Sequence, residues 1–222
     1  MASTENSRLG GQTGFFRLFP RVNAGPSRHL LNLVLGVGLL TSAGCGTFGN
    51  SSRVVESVDT NSNQRVDRTM RGDTIVSRQT PVQLRLPRNW QAVPNNNLHP
   101  TADIQAYNSE QEIYLIVLGE NQQNVTAAGD LNRQAQIYLN LLKNSLNRVI
   151  TSETATQVET VNGLNAVQYE LQGEIFGAEA AYLHTTVEMN DRYYQVVAWT
   201  PTSRFDANFD EMQNITQAFG PE

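Results

Sequence analysis

The sequence predicts an α+β fold, an αβα sandwich in which a mainly antiparallel sheet is flanked by helices. Three observations carry this reading. Two segments space their apolar residues three and four apart, the stripe of an amphipathic helix. Between them lie three consecutive strand patterns joined by short turns, so neighbouring strands run antiparallel. Two strands are apolar on both faces, which requires cover on both sides of the sheet.

The elements follow in chain order. Pro81 to Leu86 alternates, with Val82, Leu84 and Leu86 on one face and Gln83 and Arg85 on the other. Pro87-Arg88-Asn89 ends that strand and Trp90 begins a short segment. Pro94 to Pro100 holds three consecutive asparagines and reads as a loop. Ile104 to Tyr107 is a short strand, and Glu112 to Leu118 is a central one. After a polar loop over 119–129, Asp130 caps a helix that runs to Asn147. Its stripe is Leu131, Ala135, Tyr138, Leu142 and Leu146, widened by Ile137 and Leu141. Val149 to Val161 is a strand rich in Thr and Val, closed by Asn162-Gly163, a hairpin turn whose two positions both need positive φ. The next strand points Val167, Tyr169 and Leu171 inward and Gln168, Glu170 and Gln172 outward. Phe176-Gly177-Ala178 turns the chain, and Ala181, Leu183, Thr185, Val187 and Met189 form the inner face of the following strand. Asn190-Asp191 turns it again into the central strand Tyr193 to Thr200. Thr202 or Ser203 caps a last helix with the stripe Phe205, Phe209, Met212, Ile215 and Phe219, stopped by Gly220-Pro221.

Composition excludes several functions. The 222 residues hold a single cysteine, so neither an intrachain disulfide framework nor a multi-cysteine metal site is available. A net charge of −5 argues against nucleic acid as a partner, which requires a basic stripe. Asn and Gln together make 39 residues, and Lys143 is the single lysine; both read as composition drift.

The first 44 residues set the compartment. Arg8, Arg17, Arg21 and Arg28 stand against one acid, Glu5, and precede an 11-residue apolar run, Leu30 to Leu40. That run is short of the ~20 residues a bilayer span needs. A basic region, a short apolar run and small residues after it describe a secretory signal peptide. The small residues Thr41-Ser42-Ala43-Gly44 are followed by Cys45. Ala43-Gly44-Cys45 resembles the lipobox of bacterial lipoproteins. That resemblance implies cleavage before Cys45 and lipidation of its sulfur, leaving the membrane as a partner through the acylated cysteine. The alternative is an ordinary signal peptide followed by a free thiol. Removing residues 1–44 leaves 178 residues with 12 basic and 20 acidic side chains, a net charge of −8. The expected organisation is therefore a signal peptide over 1–44, a lipidated N-terminus and flexible tether over 45–73, and one domain over 74–222. As a coil the tether spans ~25–30 Å root-mean-square. A short strand or helix within 53–71, packed on the domain, is the alternative there.

The order of strands, long helix, three-stranded meander and C-terminal helix resembles the PsbP/Mog1-like fold. The stretches that carry the likeness are Val82-Gln83-Leu84-Arg85-Leu86-Pro87-Arg88-Asn89-Trp90 and the turn and strand from Gly163 to Tyr169. The resemblance implies a non-enzymatic binding or assembly domain. In its lipoprotein form it resembles cyanobacterial PsbP-like proteins, which implies photosystem II as a membrane-complex partner.

A search for chemistry returns little. His29 lies in the signal peptide. His99 and Asp103 sit close enough in sequence to share a divalent ion, although a solvated loop histidine is the plainer reading. His184 lies on a strand face with Tyr182, Thr186 and Glu188. Glu110/Glu112 and Asp206/Asp210 suit helix starts and solvated faces rather than acid–base work. Trp90 and Trp199 read as core. Asn124 and Asn214 head glycosylation sequons, which carry little meaning in a bacterial chain. No Gly-x-Ser-x-Gly elbow and no phosphate loop occurs in the mature chain. The expectation is no catalytic, cofactor or metal residue, one lipidation residue (Cys45), and an extracytoplasmic location on a membrane. The rival is an envelope lipoprotein that binds a small molecule or divalent metal between sheet and helix; a hydrolase is the least favoured.

Overall fold

The computed structural model describes residues 62–69, 72–122 and 130–222. The chain opens with β1 (Gln64–Thr69), β2 (Gly72–Ser77), β3 (Val82–Arg85) and the two-residue β4 (Gln91–Ala92). Next come β5 (Ile104–Asn108), β6 (Ile113–Asn121) and α1 (Leu131–Ser145). Then follow β7 (Arg148–Ala155), β8 (Thr160–Val161), β9 (Leu164–Ile175), β10 (Ala178–Met189) and β11 (Arg192–Pro201). The chain closes with α2 (Phe205–Gln217) and β12 (Phe219–Pro221).

The strands make two sheets. The larger runs β4-β5-β6-β11-β10-β9-β7, with β8 also paired to β9. The smaller runs β1-β2-β3-β12. Every described pairing is antiparallel. The predicted α+β class, with mainly antiparallel sheets and two helices, is what forms.

Two cores flank the larger sheet. On one face, Ala135, Leu139 and Leu142 of α1 pack on Leu118, Tyr182 and Val197. On the other, Met212 and Ile215 of α2 share a core with Leu115, Val117, Leu183 and Val196. Ile75, Val82 and Leu84 of the smaller sheet join that second core. The sandwich is therefore as expected on the α1 side, while on the other side a helix and a second sheet divide the layer. Full burial of each large aliphatic side chain contributes roughly 1.5–3 kcal/mol, so both faces are held strongly.

Local signals place most elements. Asp130 accepts a hydrogen bond from the Arg133 N–H at 2.9 Å and starts α1 as expected. Asn162 (φ 49°) and Gly163 (φ 79°) make the β8–β9 turn in the left-handed region. Tyr193 to Thr200 falls inside β11, whose residues are buried on both faces.

Four expectations change. The flexible tether over 45–73 is corrected at its C-terminal end, because Gln64–Thr69 is β1. The cause is Gln64, buried at 3 % exposure. Its amide oxygen accepts from the Gln105 N–H at 2.6 Å, and its amide nitrogen donates to the carbonyls of Val93 and Gln105. A glutamine that completes the larger sheet's backbone bonding leaves no apolar period to read. Residues 1–61, with Cys45 and the expected signal peptide, lie outside the described residues, as do 70–71 and 123–129.

The last helix stops at Gln217, and Phe219 belongs to β12 opposite Leu84 rather than to the helical stripe. The Ala218 N–H bonds back to the Ile215 carbonyl and closes the last turn, after which Phe219 is fully buried beside Tyr194. Neither Thr202 nor Ser203 caps α2: a 3₁₀ turn over Thr202–Arg204 runs straight into it. The strand expected over 149–161 divides into β7 and β8. Across the break the Thr156 hydroxyl bonds the Gln168 side chain at 3.0 Å and accepts from the Val158 N–H, beside the backbone bonds of Thr156 and Glu159 to β9.

Candidate functional site

A cleft of about 640 Å³ opens at the head of α1, where β7 and β8 part alongside β9. Asp130, the helix cap, stands on one wall, and Glu159 stands on the segment joining β7 to β8. Glu188 and Tyr193 face each other in register at the ends of β10 and β11. Val167 and Tyr169 come from β9. Three carboxylates therefore line the cleft, and no lysine, arginine or histidine does so among the described residues. Burial, then the carboxylates of Glu188 and Asp130, push the Tyr193 hydroxyl above its usual pKa. The Tyr169 hydroxyl accepts from the Gln136 amide at 2.6 Å, and Glu188 accepts from the Gln122 amide at 3.3 Å.

Three further polar side chains are buried on α1 and β10. Strand alternation puts Thr186 and His184 on the same face of β10 as Glu188, two and four residues deeper. Both are fully buried. Gln134, at 1 % exposure, comes down from α1 one turn beyond Asp130. The Thr186 hydroxyl, both His184 ring nitrogens and the Gln134 amide oxygen have no hydrogen-bond partner. Buried polar atoms in folded proteins are nearly always paired, so these four atoms stand out, although none of their three residues lines the cleft. Burial pulls the His184 pKa down to about 4; the neighbouring Gln195 amide favours the charged ring without reaching hydrogen-bond geometry. Gln195 itself stands opposite Thr186. The Tyr138 hydroxyl donates to Glu120 at 2.6 Å, and burial followed by that bond raises its pKa, opposed in part by the Gln134 side chain.

The residues singled out in the sequence go elsewhere. Asp103 is buried, but one carboxylate oxygen accepts from Ser77 (3.1 Å) and Thr80 (2.8 Å), and the other from the Gly119 N–H (2.7 Å). It locks the smaller sheet to β6. His99 is buried at 3 % exposure, not a solvated loop residue. Its Nδ1 faces the Thr101 N–H and hydroxyl, its Nε2 has no partner, and burial lowers its pKa. The two share no hydrogen bond and neither lines the cleft. Glu110 accepts from Asn89, whereas Glu112 pairs with Arg204 at 2.8 Å, so these acids diverge. Trp90 is core, and its indole N–H donates to Glu211 at 2.6 Å. Trp199 stacks on Tyr114 at 5.5 Å. Asp206 and Asp210 are exposed on α2. Among the described residues no three His, Cys, Asp or Glu side chains gather as a metal-binding group, and no helix is long and apolar enough to cross a membrane. Sequence reading missed the cleft because its lining comes from six separate segments. The one signal present was Asp130 at the head of a helix.

No family model matches the chain, and no curated protein is significantly similar in sequence. Solved structures are similar in fold. One is the solution structure of cyanobacterial PsbP (CyanoP) from Synechocystis sp. PCC 6803, at 12% identity and a TM-score of 0.48, covering 67% of this chain and 91% of that one. Another is LpqN, involved in cell envelope biogenesis of Mycobacterium tuberculosis, at 16% identity and a TM-score of 0.48, covering 65% and 88%. A third, PA94 from Pseudomonas aeruginosa, a protein of unknown function, aligns at 10% identity and a TM-score of 0.41, covering 72% and 99%. No residue role is transferred from any of them.

Proposed function

We infer that the protein is a lipid-anchored, extracytoplasmic binding or assembly protein without catalytic activity, held at a membrane surface through Cys45. The observation that carries this reading is the run of basic region, short apolar stretch and Ala43-Gly44-Cys45, with the chain's single cysteine at its end. The Gln64 clamp adds a mechanical argument. Sixteen residues separate Cys45 from Ser62, so a membrane-held cysteine keeps the folded body within ~60 Å of the bilayer. The excess of acid over base in the mature chain disfavours direct adhesion to an anionic surface, which leaves the acyl chains to hold it. The partner is then a membrane protein complex; photosystem II is the complex that the resemblance over Val82–Trp90 and Gly163–Tyr169 implies. Affinity purification of the tagged full chain from mildly solubilised membranes tests this. A reproducible membrane complex recovered with wild type and depleted with Cys45→Ser is expected. Recovery of no partner, or equal recovery with Cys45→Ser, counts against it.

A second reading, a small molecule held between sheet and helix, is favoured by the cleft at the head of α1. The two readings are compatible, since the cleft and the segment from Ser62 to Gln64 use different residues.

A further inference from the structure

We propose that His99 is a pH-sensitive latch: protonation of its ring opens the loop over 94–103 and frees the 62–64 segment that this loop holds against the larger sheet.

The latch is a network of hydrogen bonds that meets on His99 itself. The Gln105 side chain accepts from the His99 N–H at 3.0 Å and donates to the His99 carbonyl at 2.8 Å. It also accepts from the Leu98 N–H and donates to the Asn96 side chain. The backbone of Gln105 is gripped in turn by the Gln64 amide. Asn63 donates its side-chain N–H groups to the carbonyls of Pro100 and Ala102, and its backbone N–H to Asn96. The place of 62–64 and the place of His99 are therefore fixed together. Asn95 and Asn96 stand at positive φ (55° and 53°), a costly conformation that persists while these bonds hold it.

The ring is buried, at 3 % exposure. Its Nδ1 accepts from the Thr101 N–H at 3.3 Å, so the proton of the neutral ring is on Nε2, which has no partner. A second proton, added at Nδ1, turns that acceptor into a donor. The Thr101 hydroxyl, also 3.3 Å away, can turn to accept it. The Thr101 N–H cannot, and the new charge stays out of water. Opening the loop hydrates both. The charged groups near this network are already engaged. Asp103 accepts from Ser77, Thr80 and Gly119, and Arg78 donates to the Ser62 carbonyl at 3.3 Å. Burial alone lowers the His99 pKa, with no carboxylate to offset it. The closed loop therefore holds the neutral ring, while in the opened loop the ring gains its proton below the ordinary pKa of 6.5. Closure is complete above that pH and weakens as pH falls. On release β1 keeps its pairing with β2 and loses its hold on the larger sheet. On the lipid-anchored reading above, the body then gains freedom about the strand that follows its tether.

The test is hydrogen exchange of the full chain in mild detergent at pH 7.5 and 5.5, corrected for intrinsic exchange rates. Protection over 62–64 and 94–103 should fall about fivefold to tenfold, the range for one group that titrates near 6.5 in the opened loop. The β9–β11 meander should keep its protection. His99→Asn, whose Oδ1 replaces the Nδ1 acceptor and does not titrate, should hold the loop closed at both pH values. His184→Gln should leave the wild-type response unchanged. Equal protection of the wild type at the two pH values overturns the proposal. So does a response that persists in His99→Asn, which would assign it to Asp103 or another acid, or one that disappears in His184→Gln. Loss of protection by the meander in step with the loop also overturns it, since that is global unfolding. If His99→Asn does not fold, the nitrogen-15 shifts of the wild-type imidazole decide. An Nε2–H tautomer at pH 7.5 whose titration follows loop opening is expected, and an Nδ1–H tautomer overturns the latch. These outcomes are independent of acylation at Cys45, which fatty-acid labelling reads separately.

Discussion

Gly119 is a residue whose identity the structure dictates. A Cβ there would lie 2.7 Å from the Tyr194 ring and 3.0 Å from the Asp103 carboxylate that accepts its N–H. Gly119→Ala should cost about 1–3 kcal/mol, the range of an overpacked core, and a urea titration reads it directly. His184 sets the pH response. Its pKa is about 4 in the folded chain against 6.5 for an exposed histidine, so the neutral ring is the folded form. The stability it contributes is complete above pH 6.5 and is lost as pH falls toward 4, by about 3 kcal/mol in all. His99, also lowered by burial, acts in the same direction. Urea midpoints for wild type should fall between pH 7 and pH 4.5 more steeply than those of His184→Gln. Parallel curves would mean that the ring is solvated. The buried amides make a related point. Gln64, Gln105, Gln134, Gln168 and Gln195 are all at most 3 % exposed. The amide-rich composition, read from sequence as drift, supplies hydrogen-bonding groups to the interior.

At the scale of elements, what was legible in sequence followed how each segment is buried. Strands β9, β10 and β11 were legible because alternation, two-residue turns and both-face burial all act within each strand. Helix α1 was legible from its cap and stripe, although Leu139 rather than Ile137 or Leu141 completes the buried face. What escaped depended on partners far away in the chain. Strand β1 is held by Gln64 bonding to Val93 and Gln105, and β12 exists because Phe219 finds Leu84 and Tyr194. Gln168 was assigned to solvent by alternation; α2 covers it, and it bonds Thr185 at 2.9 Å and Gln213. The candidate cleft was illegible for the same reason, since no two of its carboxylates lie close in sequence. These elements differ in predicted resilience. Gln64→Ala removes three buried hydrogen bonds and should release β1 from the larger sheet. Hydrogen exchange over 64–77 should then accelerate at least tenfold while the β9–β11 meander keeps its protection. Uniform acceleration across the chain would instead show that β1 and the larger sheet unfold as one unit.

At the scale of the whole molecule, the parts assign a division of labour. The larger sheet and α1 shape an acidic cleft, while Gln64 fixes the N-terminal end of the described chain, at Ser62, against the larger sheet. Under the proposed function, this body presents its cleft from a lipid-tethered point above a bilayer. Everything in that account depends on Cys45 carrying the anchor. Two or more acyl chains give stable attachment where a single chain is marginal. Metabolic labelling of cells with a radiolabelled fatty acid, followed by purification of the full chain, tests it most directly. Wild type should carry the label and fractionate with membranes, while Cys45→Ser should carry none and be released. Equal labelling of the two proteins would contradict the account.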